Sequence, residues 1–150
     1  MAAIQPVSLI QSALCNRIFY IPLTIAPSTR RYHFRMSSEP LQIVELKGSA
    51  EGTCIFQLSG PLILANLFGF QAKVREDSSA VLILDFTSVP LIDSAGIGAL
   101  VGAYVNRQKD GRRLGLAGVN KRVHDALEIT RVESLFKFYN SIPEVEQARD

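Results

Sequence analysis

"VPLIDSAGIGALVG", Val89 to Gly102, joins an apolar strand pattern to a helix pattern through an aspartate and a serine. Immediately before it, "AVLILDF" is a short continuous apolar run, which predicts a central strand buried on both faces. Immediately after it, Ile97, Leu100, Val101, Tyr104 and Val105 recur at three- and four-residue steps, which predicts a helix packed through that face. Lys109, Asp110 and Gly111 end this helix, a basic residue and a glycine being usual at a C-terminus. Asp93 and Ser94 therefore sit at a helix N-terminus, where either side chain caps the free amides of the first turn. Gly96, Gly98 and Gly102 each cost the helix about 1 kcal/mol relative to alanine. Close packing against the sheet would explain them, as would the approach of another molecule's backbone.

Working outward, "LQIVEL" and "TCIFQLS" alternate on either side of a turn at Gly48 to Gly52, the pattern of a hairpin. Ile63 and Leu64 are read as a short strand. "ANLFGFQAKVRED" is a helix candidate with Leu67, Phe70 and Val74 on one face. Downstream, "RRLGLAG" reads as a strand, Asn120 as the cap of "KRVHDALEIT", "KFYN" as a last strand and "IPEVEQARD" as a last helix. A hairpin followed by alternating helices and strands gives an α/β fold: a four- to five-stranded mixed sheet with helices packed mainly on one face.

The chain has 150 residues, 47% hydrophobic and 20% charged, the balance of a single globular domain. Its net charge of +2 is unevenly spread. No acid precedes Glu39, and Arg17, Arg30, Arg31 and Arg35 are the basic residues of that segment; the rest of the chain has 12 basic residues against 14 acidic ones. A nucleic-acid binder would carry a basic face within its folded part, so none is expected. The segment before Leu41 shows neither period, and its apolar run, broken by Arg17, is too short to span a bilayer. A transit peptide fits an arginine-bearing, acid-free segment. Composition favours instead a disordered or misassigned extension over residues 1–36, with a natural start at Met36 and the folded domain over 41–150.

Chemistry at the junction narrows by elimination. The glycines of "GIGALVG" come too late after the strand for a dinucleotide fingerprint, and "RRLGLAG" ends without the acid that one requires. "IDSAG" lacks the leading glycine of a nucleophile elbow, and His124, on a helix beside Val123, reads as a surface residue rather than a base. Cys15, Cys54, His33 and His124 show no metal-ligand spacing, so neither a metal nor any other cofactor is expected. The two cysteines suit a reducing compartment. Phosphate acceptance fits better: a phosphate on Ser94 would meet free amides and the positive end of the helix dipole, partly opposed by Asp93.

From Val81 to Ser141, "VLILDFTSVPLIDSAGIGALVGAYVNRQKDGRRLGLAGVNKRVHDALEITRVESLFKFYNS" resembles STAS domains of the anti-sigma factor antagonist type. The strand ending in Asp85, the I-D-S-A-G helix start, the G-R-R-L turn and the L-E-I-T-R-V-E-S-L-F run carry the resemblance; with the hairpin it reaches from about Leu41 to the C-terminus. It implies a STAS-like fold and a cytoplasmic switch protein without enzyme activity or membrane insertion. In that family the unphosphorylated antagonist binds an anti-sigma factor that is a serine kinase and frees a sigma factor, and a serine phosphatase reverses the mark. Carried over, Ser94 is the phosphate acceptor, and Asp93, Ser94, Ala95, Gly96 and Gly98 form the partner-binding surface. Where family members often carry an acid in a G-x-L-D pattern, "GPLIL" has Ile63, a departure on the loop that usually meets the kinase. Rival readings are a STAS accessory subunit of an ABC transporter, clamping its ATPase through the same surface, and a stress-signalling scaffold.

Because residues 1–35 offer no periodic apolar face, a chain starting at Met36 is expected to unfold at the same denaturant midpoint as the full chain. A loss of several kcal/mol would place the extension inside the fold.

Overall fold

The computed structural model describes residues 40–147; the expectation for residues 1–36 lies outside them. The hairpin forms as β1 (Gln42–Lys47) and β2 (Thr53–Ser59), antiparallel, with Lys47 opposite Cys54. From there helices and strands alternate: α1 (Leu67–Glu76), β3 (Val81–Ser88), α2 (Ser94–Lys109), β4 (Arg113–Ala117), α3 (Lys121–Ile129), β5 (Lys137–Tyr139) and α4 (Ile142–Gln147). The strands lie in the order β1-β2-β3-β4-β5, and every pair after the hairpin is parallel. Each parallel step needs a crossover, which α1, α2 and α3 supply. Among the described residues, no helix is long and apolar enough to cross a membrane.

Strand alternation decides which side the helices take. Cys54, Phe56 and Leu58 of β2 share one face with Leu82, Leu84 and Phe86 of β3 and with Leu114 and Leu116 of β4. Against this face pack Leu67, Phe70 and Val74 of α1, Ile97 and Leu100 of α2, and Val123 and Leu127 of α3. The opposite face is smaller: Ile55, Ile83 and Ala117, with Ile142 and Val145 of α4 laid over them. The helices thus lie mainly on one side, and β3 is buried on both faces, with Leu82 at 0% and Ile83 at 1% exposure. Its one acid, Asp85, is buried, and its carboxylate accepts from the Thr87 amide (2.9 Å) and hydroxyl (2.6 Å). Burial, then the carboxylates of Asp77 and Glu45, push the Cys54 thiol up to about 11. At neutral pH it is therefore protonated and a poor nucleophile.

Two expectations change. Ile63 and Leu64 form no strand: Leu62 alone bridges to Ile92, and the Asn66 amide bonds the Ile63 carbonyl in a turn. On α2 the buried side is rotated from the apolar spacing, because Ala99 and Ala103 are buried, Val105 is exposed, and Arg107 is buried at 2% exposure. Arg107 belongs inside because its partners are there. Its Nη1 meets Asp77 Oδ2 at 2.6 Å, its Nη2 the Ser79 carbonyl at 2.7 Å, and its Nε the Arg113 carbonyl at 3.1 Å. One side chain thereby ties the end of α1, the entry to β3 and the start of β4 to α2.

Removing one partner of a buried ion pair strands the other, at a cost of about 3–5 kcal/mol. Arg107→Met is expected to lose that much in urea unfolding, whereas Lys121→Ala, which breaks the exposed pair with Asp125, should change stability by less than about 1 kcal/mol.

Candidate functional site

The junction quoted at the outset is built around Asp93. It is the N-cap of α2, with extended backbone (φ −102°, ψ 178°), and its Oδ1 accepts from the Gly96 amide at 2.7 Å. Its Oδ2 accepts from the Leu64 amide at 3.0 Å, and its own amide donates to the Leu62 carbonyl at 3.2 Å. Both carboxylate oxygens are therefore engaged within the fold, one on the helix and one on the turn that follows β2. That turn is held along its length. The Gly60 amide bonds the Ser88 carbonyl, the Leu62 amide bonds the Leu91 carbonyl, and Asn66 Nδ2 bonds the Pro61 carbonyl.

Gly96 is the tightest point. A Cβ built there would lie 2.2 Å from the Leu62 carbonyl oxygen and 2.8 Å from Ile92 Cγ1. Backbone cannot yield as a flexible side chain does, so this glycine is what lets the turn lie against α2. Gly98 and Gly102 differ: a Cβ at either meets nothing within 4 Å. The close-packing expectation thus holds for Gly96 and fails for Gly98, because Gly98 lies on the outer side of the helix and is exposed.

With Asp93 as the cap, Ser94 is the first residue of α2 and is exposed, and its hydroxyl has no partner among the described residues. By helix geometry the amides of Ser94 and Ala95 have no acceptor within the helix either. Ala95 is half-buried. Two exposed apolar side chains follow β2. Leu64, held to Asp93, is 62% exposed, and Phe68, in the first turn of α1, is 73% exposed. Phe68 was detectable, since it is out of phase with the Leu67, Phe70 and Val74 stripe; Leu64 was concealed by the strand reading.

His124 is exposed on α3, its ring 5.3 Å from that of Phe138. The sequence offered no metal-ligand spacing, yet α3 brings ligand atoms of His124, Asp125 and Glu128 within 4.8 Å of one another. Glu128 lies three residues after Asp125 and four after His124, the spacings that make neighbours on a helix. Both Asp125 oxygens accept from Lys121 Nζ, at 2.9 and 2.6 Å, so that carboxylate is already paired with an ammonium.

A family model for the STAS domain matches residues 46–145. Among solved structures, an anti-sigma factor antagonist from Mycobacterium paratuberculosis is 18% identical over 73% of this chain and 96% of its own, with a TM-score of 0.61. The Bacillus cell fate determinant SpoIIAA, in its phosphorylated form, is 15% identical over 73% of this chain and 99% of its own, with a TM-score of 0.56. A sulfate transporter family protein from Wolinella succinogenes is 27% identical over 65% of this chain and 84% of its own, also with a TM-score of 0.56. The first two share the fold of this chain.

The two glycines of the helix start are expected to separate in urea unfolding. Gly96→Ala should destabilise by about 2 kcal/mol or more, because the contact is with backbone. Gly98→Ala should stabilise by about 0.5–1 kcal/mol, because the methyl group meets nothing and the helix gains propensity.

Proposed function

The chain belongs to the STAS domain family, and from that premise we propose that it is an anti-sigma factor antagonist switched by phosphorylation of Ser94. Unmodified, it binds an anti-sigma factor serine kinase and so frees a sigma factor; phosphorylated, it lets the kinase go, and a serine phosphatase resets it. The observation that carries this reading is the division of labour at the helix start. Asp93 does the capping, so the Ser94 hydroxyl is exposed and spare.

The chemistry asked of this chain is small. Ser94 Oγ attacks the γ-phosphorus of ATP held by the kinase, the bond to ADP breaks, and the hydroxyl proton passes to a base on the kinase. The protein is a substrate, and its contribution is to hold one hydroxyl rigidly at a helix end. Gly98 and Gly102 support the docking role, since their helix cost returns no packing within this chain and they leave a smooth path for another backbone. Leu64, whose amide is held by Asp93, supplies apolar contact near the helix start, and Asp93, Ala95 and Gly96 fix the shape of the surface. With Ile63 in the turn, contact there is apolar rather than acidic.

The likeness to the Wolinella protein favours a second reading, an accessory STAS unit of a transporter in which phosphorylation plays no part.

A phosphate adds about −1.5 to −2 charges, partly met by the helix start. Ser94→Asp is therefore expected to keep the unfolding midpoint yet weaken kinase binding by about 2–5 kcal/mol, through mispairing of a charge in the contact. Ser94→Ala should bind but take no phosphate. Incubation with kinase and ATP, followed by mass spectrometry, should place the phosphate on Ser94; phosphate only on Ser88 or Ser134, which are also exposed, would overturn the assignment. Unmodified protein whose binding survives in both variants would favour the transporter reading.

A further inference from the structure

β1 is the edge of the sheet at one side, bonded only to β2 among the described residues. Five of its six residues are exposed, Ile43 alone being half-buried. An edge strand offers a row of amides and carbonyls to another strand. The Gly48 amide bonds the Thr53 carbonyl at 3.0 Å, and antiparallel bonding alternates along a strand. Gln42, Val44 and Leu46 therefore direct their backbone groups at β2, while those of Ile43, Glu45 and Lys47 face outward.

The side chains alternate as well. Leu46 pairs with Ile55 and Val44 with Gln57, so both project on the sheet face opposite α1–α3, where they are 44% and 51% exposed. Glu45 pairs with Phe56 and Lys47 with Cys54, so these opposite charges project on the helix side. From Ile43 to Lys47 the strand thus carries Val44 and Leu46 on one face and one charge of each sign on the other.

Two copies of such a strand, antiparallel about a two-fold axis, complement each other in one register. With the axis at Leu46, Leu46 faces Leu46 of the second copy, and Glu45 faces Lys47 of the second copy, twice by symmetry. With the axis at Glu45, two carboxylates oppose each other. With the axis at Val44, Glu45 faces Ile43 of the second copy and no ion pair forms. Opposite charges across a strand pair stabilise it and like charges destabilise it, so the sequence selects the first register. We infer that a second copy of this chain pairs with β1 edge to edge, Leu46 on the two-fold, the two strands overlapping over Glu45–Lys47. The interface uses no residue of the Ser94 surface, so it stands or falls separately from the switch.

Sedimentation of the full chain across micromolar concentrations tests this. A reversible monomer–dimer equilibrium is expected. Lys47→Glu alone, or Glu45→Lys alone, turns two attractions into two repulsions and should weaken dimerisation by about tenfold or more. The double variant carrying both changes restores opposite charges and should recover most of the lost affinity, while all three variants keep the parent unfolding midpoint. Leu46 falls at a non-hydrogen-bonded pair, where Cα atoms lie about 4.5 Å apart, within disulfide reach. In a Cys15→Ser background, mild oxidation should therefore link Leu46→Cys into dimers and leave Glu45→Cys unlinked. A chain that stays monomeric, a dimer indifferent to Lys47→Glu, or equal linking at both positions would overturn the inference.

Discussion

The carboxylate of Asp93 joins two parts of the chain that are 29 residues apart: the turn after β2 and the first turn of α2. Neither part has a regular ladder to hold it there. The turn contributes a single bridge, Leu62 to Ile92, and an isolated helix start leaves its amides unmet. By accepting from Leu64 and Gly96 together, Asp93 fixes the distance between them. That distance brings the Leu62 carbonyl so close to the helix that only glycine fits at position 96. The exposed hydroxyl of Ser94 and the apolar side chain of Leu64 take their positions from this arrangement.

A second constraint works at the far end of the same helix. Arg107 there takes up Asp77, Ser79 and the Arg113 carbonyl, closing the loop between α1 and β3 against the start of β4. Helix α2 is thus pinned at both ends by charged groups, one half-buried and one buried, while small residues line much of its length. Ala99 and Ala103 let α1 approach, and Gly98 and Gly102 leave the outer side bare. A helix held in this way keeps its position without needing bulk on its free face.

Much of the fold was legible because its signals are local. The unbroken apolar run of β3, the alternation of β1 and β2, the stripe of Leu67, Phe70 and Val74, and the Asn120 cap, whose Oδ1 accepts from the Val123 amide at 3.0 Å, all appear within a few residues of sequence. What escaped depends on distant partners. Arg107 stood outside the apolar spacing, and its buried partner Asp77 lies 30 residues away. Ile63 and Leu64 looked like a strand because the carboxylate that turns the chain comes later. Three glycines in one helix looked alike, since spacing does not say which of them faces a carbonyl. At the site, Ser94 and its neighbours could be read from the I-D-S-A-G start, whereas Leu64 joined the surface only through the tertiary bond to Asp93.

The unequal cover of the two sheet faces has its own consequence. Among the described residues, α1, α2 and α3 bury one face, whereas the other has only the six-residue α4, attached beside the three-residue β5. Short elements with few buried contacts open at low free energy, independently of the rest. Backbone amides of β5 and α4 are therefore expected to exchange with solvent through local fraying, and those of β2 and β3 chiefly through unfolding of the whole domain. A slow centre and a fast C-terminal margin are expected, and Asp93, the neighbour of Ser94, is tied to the turn that follows β2 through the Leu62 carbonyl.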